Sequence, residues 1–151
     1  MAYIEIDGKQ YEGKAGFKFE RKANERYKDQ NKEYSGLEKI YSDLMSYKSS
    51  ALLAFWDCAT AHYGKDQPSL AKIEDVLSDI FENGTDEEIQ KLFKEAFQVI
   101  DNSGFFRLQL KEFWKDLDLI DKLAKTEEEK EQAQIAKQTY LAKRKELNPS
   151  L

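Results

Sequence analysis

Two short stretches hold the side chains with the best claim to chemistry. The first is Phe93-Lys-Glu-Ala-Phe97 followed by Asp101 to Glu112 and Phe113, which has the cadence of an EF-hand. With Asp101 at loop position 1, Ser103 falls at 3, Leu108 at 8 and Glu112 at 12, as a calcium loop needs. Position 5, which must offer oxygen, is Phe105, and position 6, where the sharp turn takes glycine, is Phe106. A ligand and the turn are lost together, so no calcium uptake is expected; an EF-hand-like regulatory protein is the second reading of function. The other stretch pairs Cys58 with His62, at a spacing that makes neighbours on a helix. The flanking run Ala51-Leu-Leu-Ala-Phe-Trp-Asp-Cys-Ala59 is apolar, which suits an inert packed thiol better than a nucleophile.

These are the only cysteine and the only histidine in 151 residues. An intrachain disulfide and a cysteine-based zinc site are excluded, and every Ser-His-Asp or Cys-His scheme would need the same unsupported histidine. Carboxylates are plentiful but lie in runs typical of helix surfaces and N-termini, so no desolvated acid–base couple emerges. No GxxxxGK[ST] loop, GxGxxG loop or HExxH helix is present. No catalytic residue, metal ligand or cofactor site is predicted.

The elements that would position any site read as mostly helix. Tyr3-Ile-Glu-Ile alternates, Asp7-Gly8 is a two-residue turn, and Lys9-Gln-Tyr-Glu12 is the return strand of a hairpin. Such a hairpin is marginal in water unless it gains a strand or packs on helices. Phe17 and Phe19 fit either a third strand or a helix running to about Lys32. From Gly36 the apolar spacing is helical throughout. Leu37, Ile40, Tyr41, Leu44 and Met45 form one stripe; Leu52, Phe55, Trp56, Ala59 and Tyr63 form the next, capped by Ser49 or Ser50 and stopped by Gly64. Pro68-Ser69 opens a helix that buries Ile73, Val76, Leu77, Ile80 and Phe81 and stops at Asn83-Gly84. Thr85-Asp-Glu-Glu88 is a capping box for the stripe Ile89, Leu92, Phe93, Ala96, Phe97, Ile100. After Asn102-Ser-Gly104 a further helix carries Phe106, Leu110, Phe113, Trp114, Leu117, Ile120 and Leu123.

A second capping box, Thr126-Glu-Glu-Glu129, opens a tail helix to about Glu146. Its apolar positions are only Ala133, Ile135, Ala136, Tyr140 and Leu141, while its early acids and late bases suit the helix dipole. The reading is therefore mainly α: a compact multi-helix bundle with an N-terminal hairpin (about 3–12) as one domain over 1–123, and a charged C-terminal helix or mobile tail over 124–151, protruding or partner-dependent.

Composition bounds the partners. With 40% hydrophobic, 13% aromatic and 35% charged residues, the chain is globular and can fill a core. The net charge of −5 implies no general affinity for nucleic acid, and Lys143-Arg-Lys145 is explained as a helix C-terminus. Eight acids against two lysines between Glu74 and Glu95 make that segment −6 by itself. No apolar stretch approaches the roughly 20 residues of a membrane span, and the N-terminus has no signal-peptide pattern. A reducing cytoplasm is the expected compartment. What remains is apolar excess: Phe105, Phe106 and Trp114, with Ile135, Tyr140 and Leu141 on the tail, are the candidate partner-binding residues, since aromatics dominate interface hot spots. For Phe105-Phe106 the competing reading is packing of the following helix.

The order of motifs resembles the tail assembly chaperones of long-tailed, siphovirus-type phages or prophages of Gram-positive bacteria. The resemblance covers roughly residues 1–120. It rests on the hairpin Tyr3–Glu12 with its Asp7-Gly8 turn, Gly36-Leu37 opening a helix, the helix Ser50–Tyr63, Gln67-Pro68-Ser69 before Ile73-Glu74 and Leu77, and the helices around Ser103-Gly104-Phe105-Phe106. It implies a non-enzymatic protein that binds the tape measure protein, helps recruit major tail (tube) protein subunits, self-associates, works in the host cell cytoplasm and is absent from the mature virion. It also implies a longer form made by ribosomal frameshifting near the C-terminus.

Overall fold

The computed structural model describes residues 1–30 and 34–150. The chain begins with an antiparallel hairpin, β1 (Tyr3–Ile6) and β2 (Lys9–Glu12), in which Ile4 faces Tyr11 and Ile6 faces Lys9. Asp7 and Gly8 both have positive φ, at 54° and 77°, the paired left-handed geometry that Asp-Gly supplies at a two-residue turn. Ile4, Ile6 and Tyr11 are buried, and among the described residues the sheet has two strands. It is held instead by helices: the Lys14 amide donates to the Ala59 carbonyl at 2.9 Å, and the Glu12 amide to the Tyr63 hydroxyl at 2.8 Å.

Phe17 opens α1 (Phe17–Arg26), so the helical alternative holds for the Phe17–Phe19 stretch. The helix ends at Arg26, and the expected boundary near Lys32 lies outside the described residues. Next come α2 (Gly36–Met45), α3 (Ser49–Ala59), a 3-10 turn (Ala61–Asp66), α4 (Leu70–Asn83), α5 (Asp86–Asp101), α6 (Arg107–Leu123) and α7 (Glu127–Leu147). The protein is mainly α with a small N-terminal hairpin.

α3 is the axial helix. Ala51, Leu52 and Ala54 through Ala59 are all buried, and α1, α2, α4 and α5 pack around it. A helix apolar on nearly every side belongs at the centre of a bundle. It starts at Ser49 without a side-chain cap, and it stops five residues before Gly64, where the Thr60 hydroxyl donates to the Trp56 carbonyl at 2.6 Å. The expected Ser49 or Ser50 cap is therefore not made, and α1 and α6 have no side-chain cap either; Ser35, Ser69, Thr85 and Thr126 each accept the amide of the residue three further on, Thr85 and Thr126 as the capping boxes predict. Where α1 and α2 meet, Gly36 lies so close to the Ala23 carbonyl that a Cβ would overlap it, and the Gly36 amide donates to the Asn24 Oδ1 at 2.9 Å.

Two expectations need correction. α6 buries Leu110 and Phe113, but Ile120 and Leu123 are exposed, because α6 runs past the end of the core and packs chiefly on α7. The tail helix, read as too thinly apolar to be anchored, is seated by its last turn. Leu147 and Asn148 are fully buried, and α7 lies against α2, α5 and α6. The apolar stripe read from the sequence stops at Leu141, nearly two turns short of that anchor.

Candidate partner-binding surfaces

The six candidates do not form one patch. Phe106 is fully buried and serves the core, so it offers no surface to a partner. Trp114 is half-buried; its Nε1–H donates to the Tyr41 hydroxyl at 3.0 Å, and the Arg144 guanidinium covers its ring at 4.8 Å. Tyr140 packs against the core with its hydroxyl 3.4 Å from that of Ser42. Phe105, Ile135 and Leu141 remain exposed, at 42%, 63% and 43%.

Around the exposed candidates the structure adds residues that sequence reasoning missed. Phe17, at the first turn of α1, is 71% exposed and meets Phe105 edge-on at 4.7 Å between centroids. Leu108 is exposed one turn further along. From this corner a chain of rings runs inward: Phe105 on Phe106 at 4.9 Å, Phe106 on Phe19 at 5.7 Å, and Phe19 on Phe55 at 5.9 Å. The Ser103 hydroxyl accepts the amides of both Phe105 and Phe106, which fixes the turn that presents one ring outward and the other inward. The signal for Phe17 lay in the spacing Phe17-Lys-Phe19: on a helix, residues two apart point to different sides. At the far end of the α6–α7 hairpin, Leu119, Ile120 and Leu123 form a second exposed apolar set, and Ile135 lines the neighbouring α6–α7 groove.

Two buried carboxylates organise the polar interior, and neither was visible in the pattern. The Asp101 side chain, with no solvent exposure, accepts from the Tyr41 hydroxyl at 2.7 Å, from Arg144 Nε and Nη2 at 3.1 and 3.0 Å, and from the Asn148 amide at 2.9 Å. This ties α7 to α2 and α5. It also consumes the group that would open a calcium loop, while Glu112 pairs with Lys115 on the exposed side of α6. Asp57 stands inside the apolar run of α3, bridged by Lys22 at 2.8 Å, Arg26 at 3.3 Å and the Tyr27 hydroxyl at 2.7 Å. Both carboxylates satisfy their charge locally, as a buried charge must.

Burial, and then the Asp57 charge beside it, push the Cys58 thiol well above its ordinary range, so it stays protonated. His62 is not its partner: α3 ends at Ala59, and the His62 ring meets the Glu12 carbonyl at 2.8 Å. A carbonyl only accepts, so Nε2 carries the proton and the ring braces the hairpin. Among the described residues, no three His, Cys, Asp or Glu side chains converge in a metal-holding group, and no helix is long and apolar enough to cross a membrane.

The model of the family described as phage tail assembly chaperone protein, TAC, matches residues 3–115, and the chain belongs to that family. No curated protein and no solved structure matches the chain. Membership assigns a chaperone role in phage tail assembly, which entails contact with phage tail proteins. The matched segment includes the Phe17–Phe105 corner and ends within α6, so the hairpin tip and α7 lie beyond it.

Proposed function

We propose that this chaperone binds the tape measure protein of a long-tailed, siphovirus-type phage or prophage of Gram-positive bacteria, and helps bring major tail protein subunits to it. It acts without catalysis in the host cytoplasm, in several copies, and leaves before the virion matures. The C-terminal segment that carries α7 is the part that a longer, frameshifted form would extend.

The observation that carries this reading is the exposed Phe17–Phe105 ring pair, an apolar corner on a bundle whose core is already closed, with Leu108 exposed one turn along α6. Exposed contiguous apolar surface costs solubility and is retained where a partner covers it. An elongated, largely helical partner offers apolar stripes that such corners can grip, and many weak grips along one chain gain strength from proximity.

Co-expression of the chain with a tape measure fragment is expected to raise the soluble yield of that fragment and to give co-purification. The double variant Phe17→Ser/Phe105→Ser is expected to keep its helical circular dichroism while lowering capture about tenfold, as loss of a small hot spot does. Wild-type chain that neither solubilises nor retains any tape measure segment would refute the proposal.

A further inference from the structure

The N-terminal half of α3 surfaces as a ridge on an otherwise buried helix: Ser50 is exposed and Leu53 half-buried. Hollows flank it on both sides. One, of about 540 Å³, lies between α3 and α4 and is lined by Ser49, Leu53, Leu77 and Phe81 with Glu74 and Glu82. The other, of about 520 Å³, lies between α3 and the α1 and α2 side, where Arg26, Tyr27, Lys28 and Lys39 meet Ala51 and Ala54. Ser50 and Leu53 line both. Helical geometry accounts for this: at about 100° per residue, Ser49 turns toward α4, Ala51 and Ala54 toward α2, and Ser50 and Leu53 stand between.

Charge is sorted across the ridge. Glu74 and Glu82 are exposed on the α4 wall, and among the described residues no cation lines that hollow. On the opposite wall Arg26, Lys28 and Lys39 stand with Asp29 and Asp43; Arg26 shares Asp57 with Lys22, and Lys39 shares Asp43 with Lys48 at 2.7 and 3.3 Å, so among the described residues cations outnumber carboxylates there.

We infer that this face pairs with the same face of a second copy about a two-fold axis beside Leu53. Rotation by 180° lays the cationic wall of each copy on the acidic wall of the other, so every charge contact is made twice, as an isologous interface requires. Each Leu53 then enters the α3–α4 hollow of the opposite copy, against Leu77 and Phe81, and Ser49, Ser50 and Ala54 let the two α3 helices approach closely. A second copy is the occupant because both halves of the complementarity, acidic and cationic, are written on this one chain. The pairing assigns a face and a symmetry to the several copies of the chaperone reading, but its argument stands on this face alone.

The test uses the full chain in sedimentation equilibrium at low and high salt. The wild type is expected to give a dimer that weakens with salt, since the charges are exposed. Glu74→Lys/Glu82→Lys and Lys28→Glu/Lys39→Glu are each expected to raise the dissociation constant at least tenfold, because one reversal spoils two contacts. One variant is then cationic on both walls and the other acidic on both, so an equimolar mixture should restore a dimer of one copy of each. Ser50→Trp, at an exposed position, should block pairing sterically, with circular dichroism reporting the fold in every case. A wild type that stays monomeric at high concentration overturns the inference, as does a mass unmoved by either reversal. Mixtures that grow beyond dimers overturn the two-fold, and reversals that abolish only tape measure capture assign the face to a foreign helix instead.

Discussion

Asp57 illustrates at the residue scale how a charge can sit in an apolar run without serving chemistry. It lies on the central helix with 2% of its side chain exposed, and Lys22, Arg26 and Tyr27 enclose it. Asp57→Asn keeps the shape and removes the charge, leaving Lys22 without its counterion. Removing one partner of a buried pair costs about 3 kcal/mol, so a clearly lowered urea midpoint is expected; an unchanged midpoint would show that the pair contributes nothing net. Gly36 is constrained by space rather than by dihedral angle. Gly36→Ala drives a methyl into the Ala23 carbonyl, and parting α1 from α2 should cost about 2–3 kcal/mol, the upper range for overpacking. Thermal unfolding of this variant at or above the wild-type temperature would contradict the close approach.

Element by element, α7 shows that anchoring need not come from an apolar stripe. Its first turns are surface helix, joined to α6 by Lys137–Asp118 at 2.6 Å and Gln134–Asp121 at 3.0 Å. Its last turn carries Arg144 to Asp101, Asn148 to Asp101 and Asn102, and its Leu147 carbonyl accepts from Gln98 at 2.8 Å. Arg144→Ala would strand the Asp101 carboxylate in a buried site at a cost of about 3 kcal/mol. Hydrogen exchange should then quicken along α7 more than along α3. Equal protection before and after substitution would mean that packing of Leu147 holds the helix alone.

For the whole molecule, several tyrosines make stability depend on alkali. Burial, followed by hydrogen bonding to the Glu146 carboxylate, pushes the Tyr47 hydroxyl up to about 12. Burial together with Asp57 raises Tyr27, and burial together with Asp101 raises Tyr41, in both cases well beyond the ordinary range. The unfolded chain loses these protons near the ordinary value of 10.0, whereas the folded chain keeps them. Their contribution is thus complete below that value and declines as pH rises toward the folded values, with the Tyr47 share gone beyond about 12. Unfolding followed by circular dichroism should coincide with the rise of tyrosinate absorbance. Tyrosinate signal for Tyr27 and Tyr41 in a still-folded chain would refute the coupling. The Cys58 thiol should become reactive to disulfide reagents in the same transition.

The order of elements, several of the helix starts and most of the core were legible from the sequence, because capping and amphipathic spacing are local: Ser69, Thr85 and Thr126 each act within one turn of their own position, whereas the cap expected at Ser49 or Ser50 is not made. The hairpin turn was local too. Tertiary structure alone decided which apolar residues stay wet. Phe106 and Phe105 are adjacent and chemically identical, yet one fills the core and the other meets Phe17 at the surface, because the answer depends on where α1 lies. Ile120 and Leu123 continue a good helical stripe but extend past the bundle they would pack on. The buried carboxylates follow the same rule: Asp101 finds Tyr41 and Arg144 at 60 and 43 residues' separation, a distance over which no local pattern carries information.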